Sequence, residues 1–117
     1  MIRRYAILVA AALPLAACAQ ASGPPADPAG LRPADARLAQ LYEGSCKTCH
    51  VTADSGAPIV QDKAAWAPRW KQGEAVLLDH VIQGYRGMPA LGQCAACSPD
   101  DLKRLIRFLA AQEEDER

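Results

Sequence analysis

Cys46-Lys47-Thr48-Cys49-His50 is the stretch on which the reading of this 117-residue chain turns. Two thiols three residues apart lie on one side of a helical turn, and a histidine follows directly. The spacing lets both thiols add across the two vinyl groups of one porphyrin, with the imidazole beneath its iron. Two other chemistries use Cys-x-x-Cys. A thioredoxin-like dithiol calls for a βαβ context that this sequence lacks. A zinc half-site needs further ligands, which Cys94 and Cys97 could supply. The motif with its histidine occurs once. One covalent haem c is therefore the expected cofactor, attached at Cys46 and Cys49, with His50 as one axial ligand.

The second axial ligand is narrowed by elimination. Beyond the initiator the chain has one methionine, in Gly84-Tyr85-Arg86-Gly87-Met88-Pro89. Gly87 and Pro89 predict an irregular loop, of the kind that can bring a thioether to iron. His80 is the rival. On a helix over 75–83, Leu77, Leu78, Val81 and Ile82 share one broad face, and His80 turns toward the other flank. Met88 is the expected ligand and His80 a surface or outer histidine.

Composition and the first residues agree with an exported cofactor protein. Lys+Arg and Asp+Glu both number 13, which argues against nucleic-acid binding. The hydrophobic fraction is 50%, but 24 of those residues are Ala, and only 22 large apolar side chains lie from Leu31 onward. Such a core needs a staple. Arg3 and Arg4 precede an apolar run to Ala19, shorter than the ~20 residues of a membrane span. It reads as a signal peptide over 1–17, with little to support a twin-arginine type. Leu15-Ala16-Ala17-Cys18 looks like a bacterial lipobox, which makes Cys18 the lipidation site; ordinary cleavage after Ala19-Gln20-Ala21 is the alternative. Residues 18–33 then form a Pro/Ala/Gly-rich tether, the domain occupies 34–112, and 113–117 are an acidic tail. A fifteen-residue tether at ~3.1 Å per residue would reach about 45 Å if extended.

The motifs together resemble class I cytochromes c, specifically the bacterial cytochrome c5 group, from about Ala34 to Ala111. The resemblance rests on Tyr42 before Cys46, the Cys46–His50 motif and Gly56-Ala57-Pro58. It continues with Asp62-Lys63-Ala64-Ala65-Trp66-Ala67-Pro68-Arg69, Gly84-Tyr85-Arg86-Gly87-Met88-Pro89 and Cys94-Ala95-Ala96-Cys97. It implies an all-α fold of about four helices around one haem, with the first and last helices crossing. It also implies His50/Met88 ligation, a Pro58 carbonyl that accepts a hydrogen bond from His50, and a Cys94–Cys97 disulfide. The family carries glycine eight residues before the first haem cysteine. Leu38 stands there, which predicts a looser crossing or one moved to Ala39 or Ala34.

The remaining helices are read from periodicity and caps. Leu38, Leu41, Tyr42 and Ser45 share a face that leads into the haem loop, opened by Asp35 or Pro33. Trp66 and Trp70 lie at i and i+4 on a short helix, broken or bent at Pro68. They pack beside the porphyrin or give indole N–H groups to a propionate, with Arg69, Lys63 and Arg86 as counter-charges. Ser98-Pro99-Asp100-Asp101 opens a last helix whose Leu102, Leu105, Ile106 and Leu109 share one face. Phe108 at its edge is placed to meet Tyr42.

The resulting expectation is a periplasmic one-electron carrier, not an enzyme, anchored by lipid to a bacterial membrane, the outer one favoured. Its partners would be redox reductases and oxidases, and a weak homodimer is left open. Two other readings remain: a haem sensor or enzyme opened by loss of Met88, and a thiol oxidoreductase using Cys94 and Cys97.

Overall fold

Caps and breakers define five α-helices in a computed structural model that describes residues 23–112. The signal peptide, Cys18 and the acidic tail lie outside the described residues. Helix α1 spans Ala36–Glu43; the Asp35 carboxylate caps it by accepting from the Leu38 N–H at 2.9 Å. Gly44 ends it, and one further turn, α2 (Lys47–His50), carries the haem motif. Helix α3 (Lys63–Trp70) is capped by Asp62. It runs on through Pro68 to Trp70, so the expected break at the proline does not end it. Helix α4 (Glu74–Gln83) lies between Gly73 (φ 98°) and Gly84 (φ 86°), two left-handed positions that favour glycine. Helix α5 (Pro99–Leu109) opens with a capping box, Ser98 and Asp101 each satisfying the other's backbone N–H. Among the described residues there is no β-strand beyond one isolated bridge, Tyr85 with Met88. The helical fold is as expected.

The core forms where α1 meets α5. Leu38 and Tyr42 of α1 are buried with Leu105 and Leu109 of α5, Val60 and Trp66. The Tyr42 and Phe108 rings meet edge to face, centroids 5.1 Å apart. Leu38 packs into this crossing. It is 1% exposed and fills the contact itself, while Ala34 stays on the surface. Arg37 reaches across to Asp101 of α5 with two hydrogen bonds, 2.5 and 3.0 Å. Arg107 of α5 likewise grips Glu74 at the start of α4, at 2.5 and 3.0 Å.

The tether departs from expectation at its end. Residues Pro28–Gly30 make a 3-10 turn capped by Asp27. Leu31 packs against the core and Pro33 is buried. An apolar leucine and a stiff proline next to the α1 cap gain more from burial than from solvation, so the packed unit begins before Ala34.

Candidate functional site

The two thiols stand where the helical break presents them. Cys46 precedes α2 and is half-buried; Cys49, a turn later, is exposed. Burial pushes the Cys46 thiol pKa up, against the pull of the Ser45 hydroxyl at 3.5 Å. His50, 8% exposed, follows as the last residue of the turn.

A short strap, Pro58-Ile59-Val60, holds the imidazole. The His50 Nδ1–H donates to the Pro58 carbonyl at 2.7 Å. The Val60 N–H donates to the His50 carbonyl, also at 2.7 Å. The Ile59 carbonyl between them accepts the Trp66 indole N–H at 2.7 Å. The Trp66 ring lies behind the imidazole, centroids 5.8 Å apart and planes within 28°. The strap is itself tied to α5 by the Gln61 N–H on the Leu109 carbonyl at 2.7 Å. With Nδ1 committed, Nε2 is the nitrogen left to bind a metal. Burial also lowers the His50 pKa, opposed by the Pro58 contact, a shift that favours the neutral ring and its lone pair.

Of the two roles expected for Trp66, these bonds favour packing: its indole N–H serves the backbone of the strap, because a buried indole takes the nearest carbonyl. The Arg69 guanidinium donates to the Ala65 carbonyl on its own helix. Trp70 is half-buried against the core.

Met88 sits in a two-residue turn after α4. The Tyr85 N–H donates to the Met88 carbonyl and the Met88 N–H to the Tyr85 carbonyl, both at 2.9 Å. Gly84 seats this turn: a Cβ there would lie 3.1 Å from both the Met88 carbonyl oxygen and the Ala90 nitrogen. A 3-10 turn over Ala90–Gln93 follows, with Leu91, Gly92 and Gln93 all at positive φ. It leads to Cys94, which is joined by a disulfide to Cys97. His80 is half-buried and stacks on Tyr85, a contact that the helical wheel did not reveal.

Similarity to known proteins matches this geometry. Residues 33–109 fit the family described as Cytochrome C oxidase, cbb3-type, subunit III. A cytochrome c-555 of Chlorobaculum tepidum is 43% identical over 75 residues, 61% of this chain and 69% of that protein. A cytochrome c5 of Ectopseudomonas mendocina is 38% identical over 83 residues, 69% of this chain and 91% of that protein. The chain belongs to this family, as a class I cytochrome c. A solved cytochrome c in an electron-transfer complex with nitrite reductase has the same fold. It superposes with a TM-score of 0.59 at 32% identity, over 66% of this chain and 94% of that one.

The cytochrome is thus a mono-haem electron carrier, not an enzyme, with one covalent haem c. Its own residues fit that group. Two unpaired thiols lie a turn apart, and a neutral imidazole with a free Nε2 follows them. Tyr42, one turn before Cys46, is fully buried, with a hydroxyl that meets no hydrogen-bond partner. Burial pushes its pKa up to about 12, helped by Cys46 and Glu43.

Proposed function

We propose that this cytochrome carries single electrons in the periplasm through a His50/Met88-ligated iron. The observation that carries the reading is the His50 imidazole, whose Nδ1–H is held by the Pro58 carbonyl so that Nε2 is the nitrogen left for iron. Cys46 and Cys49 would hold the haem as thioethers, and His50 and Met88 are the residues that would ligate its iron. When bound, the haem supplies a one-electron ferric/ferrous couple, and His/Met ligation raises its potential. The strap keeps His50 in one orientation in both oxidation states, so little geometry changes on transfer. Trp66 packs behind the imidazole, and Trp70 and Arg69 remain the candidates to flank the propionates.

The partners are redox enzymes, met through a small transient interface. The solved relative was captured with such an enzyme, nitrite reductase. After cleavage at Cys18 the chain has 11 Lys+Arg against 13 Asp+Glu. Long-range steering is correspondingly weak, and association should depend little on salt. Cys18 anchors the chain to a membrane, so Cys18→Ala should move it into the soluble periplasmic fraction. A wild type already soluble would favour cleavage after Ala21.

The thiol-exchange reading fares worse. Cys94 is 4% exposed, so of the two sulfurs only that of the half-buried Cys97 is open to an attacking thiolate. A redox-titrated visible spectrum tests the main reading. It should follow a one-electron curve, and the ferric form should show the weak long-wavelength band of sulfur–iron ligation. A high-spin ferric spectrum would sink it. Met88→Ala should abolish the band and let small ligands bind.

A further inference from the structure

The turn that presents Met88 is not relaxed on its own. Arg86, in its first corner, has φ 55°, a region that costs a non-glycine residue free energy. Two backbone hydrogen bonds close the turn, yet three of its four residues, Tyr85, Arg86 and Gly87, are exposed. A turn of this kind needs an anchor outside itself. Tyr85 provides the attachment point. The His80 imidazole stacks on the Tyr85 ring with centroids 3.8 Å apart and planes within 13°. The Arg86 guanidinium carbon lies over the same ring, 5.1 Å from its centroid. Asp79, the acidic neighbour on α4, is occupied with Gln83 at 2.5 Å. The stack therefore joins the body of α4 to the residue that bonds Met88 at both its N–H and its carbonyl.

We propose that His80 is a positioning residue for the Met88 ligand. By stacking on Tyr85 it fixes the Tyr85–Met88 turn to α4 and sets how firmly the Met88 sulfur is held at the iron. Displacing Met88 swings the turn outward, which requires the Tyr85 ring to leave the imidazole. The stack thus adds to the cost of opening without His80 touching the cofactor. The inference rests on the His50/Met88 reading and goes beyond it, because it concerns the strength of that ligation and not its existence.

The test compares wild type, His80→Ala, His80→Phe and Asp79→Ala as ferric holoproteins. Each is titrated with imidazole while the long-wavelength sulfur–iron band is followed, and each has its reduction potential measured. His80→Ala should bind imidazole more tightly by on the order of two- to tenfold, the range a single aromatic pair commands. Its potential should fall. His80→Phe keeps a flat ring on Tyr85 and should return to within about twofold of wild type. Asp79→Ala, which disturbs the same helix but not the stack, should match wild type. If His80→Ala does not hold haem, Tyr85→Leu carries the test and should show the same rise in imidazole affinity.

Wild-type affinity in His80→Ala would overturn the proposal. So would an equal rise in His80→Phe, which would trace the effect to the loss of imidazole chemistry and not of stacking. Absence of the sulfur–iron band from the wild type would remove the Met88 reading itself, and the proposal with it. The two failures are therefore told apart by the wild-type spectrum.

Discussion

At the scale of single residues, the site depends on atoms that carry no chemistry of their own. The carbonyls of Pro58 and Ile59 decide which nitrogen of His50 stays free and where the Trp66 ring lies. Gly84 does the equivalent for Met88, the proposed second ligand. Its φ of 86° and the 3.1 Å approach of the Met88 carbonyl make any side chain there strained. Gly84→Ala should therefore destabilise the holoprotein by about 1–3 kcal/mol, and the turn should move to relieve the contact. Thermal denaturation checks the first effect. A weakened sulfur–iron band and a lower potential check the second. Cys46, Cys49 and His50 stand out in the sequence because haem attachment needs those residue types at that spacing, and Met88 is proposed because it is the one methionine beyond the initiator. The strap was less legible: the resemblance pointed to Pro58, but an indole that serves Ile59 leaves no mark in residue order.

At the scale of elements, caps and periodicity gave the helices away, and long-range ion pairs did not. Asp35, Asp62 and Ser98 each stand as the N-cap of a helix. The apolar face read for α5 is buried at all four positions, Leu102, Leu105, Ile106 and Leu109. Arg37 and Asp101 are 64 residues apart, and no local pattern pairs them. Asp101 is nonetheless the most constrained carboxylate described. It accepts from Arg37, the Ser98 N–H and the Ser98 hydroxyl, and the Arg37 guanidinium holds its pKa well below the ordinary carboxylate range. A carboxylate with a lowered folded-state pKa stabilises the fold above its unfolded value, about pH 4. That contribution is lost as pH falls below this value and through the folded one. Arg37 is exposed, so solvent screening reduces what its contact contributes to stability, and the capping box adds to it. Asp101→Asn should cost about 1 kcal/mol at pH 7, a difference that shrinks once the wild-type carboxyl is protonated. Urea unfolding of both proteins at pH 7 and near pH 2 checks this. A cost that stays constant with pH would assign Asp101 a packing role instead.

At the scale of the whole molecule, the question is whether the chain can fold without its cofactor. The large apolar side chains buried below a tenth of their surface are Leu38, Tyr42, Val60, Trp66, Leu77, Leu102, Leu105, Ile106 and Leu109. Most of them gather where α1 meets α5, on one side of the haem motif. The Met88 side has less. Leu77 is the one buried residue of α4, while Val76, Ile82 and Tyr85 remain 38–40% exposed. What ties α4 and the Met88 turn to the rest is the Glu74–Arg107 pair and contacts of α4 with α5 and the 90–93 turn. An ion pair that is about a quarter exposed at both ends adds little. A domain of this size with so few buried side chains sits near the limit of stability. A covalent haem would add a large apolar surface, tied to the chain at the proposed attachment residues Cys46 and Cys49. A chain with Cys46→Ala and Cys49→Ala, made without haem, should lose most of its far-ultraviolet helical signal and show no cooperative thermal transition. The α1–α5 contact should be the last part to retain structure, because it holds the buried core cluster and the Arg37–Asp101 bonds. Amide hydrogen exchange would report this as weak protection confined to 36–43 and 99–109. A cooperative transition with protection spread through α4 would mean that the protein core holds both sides together without the haem.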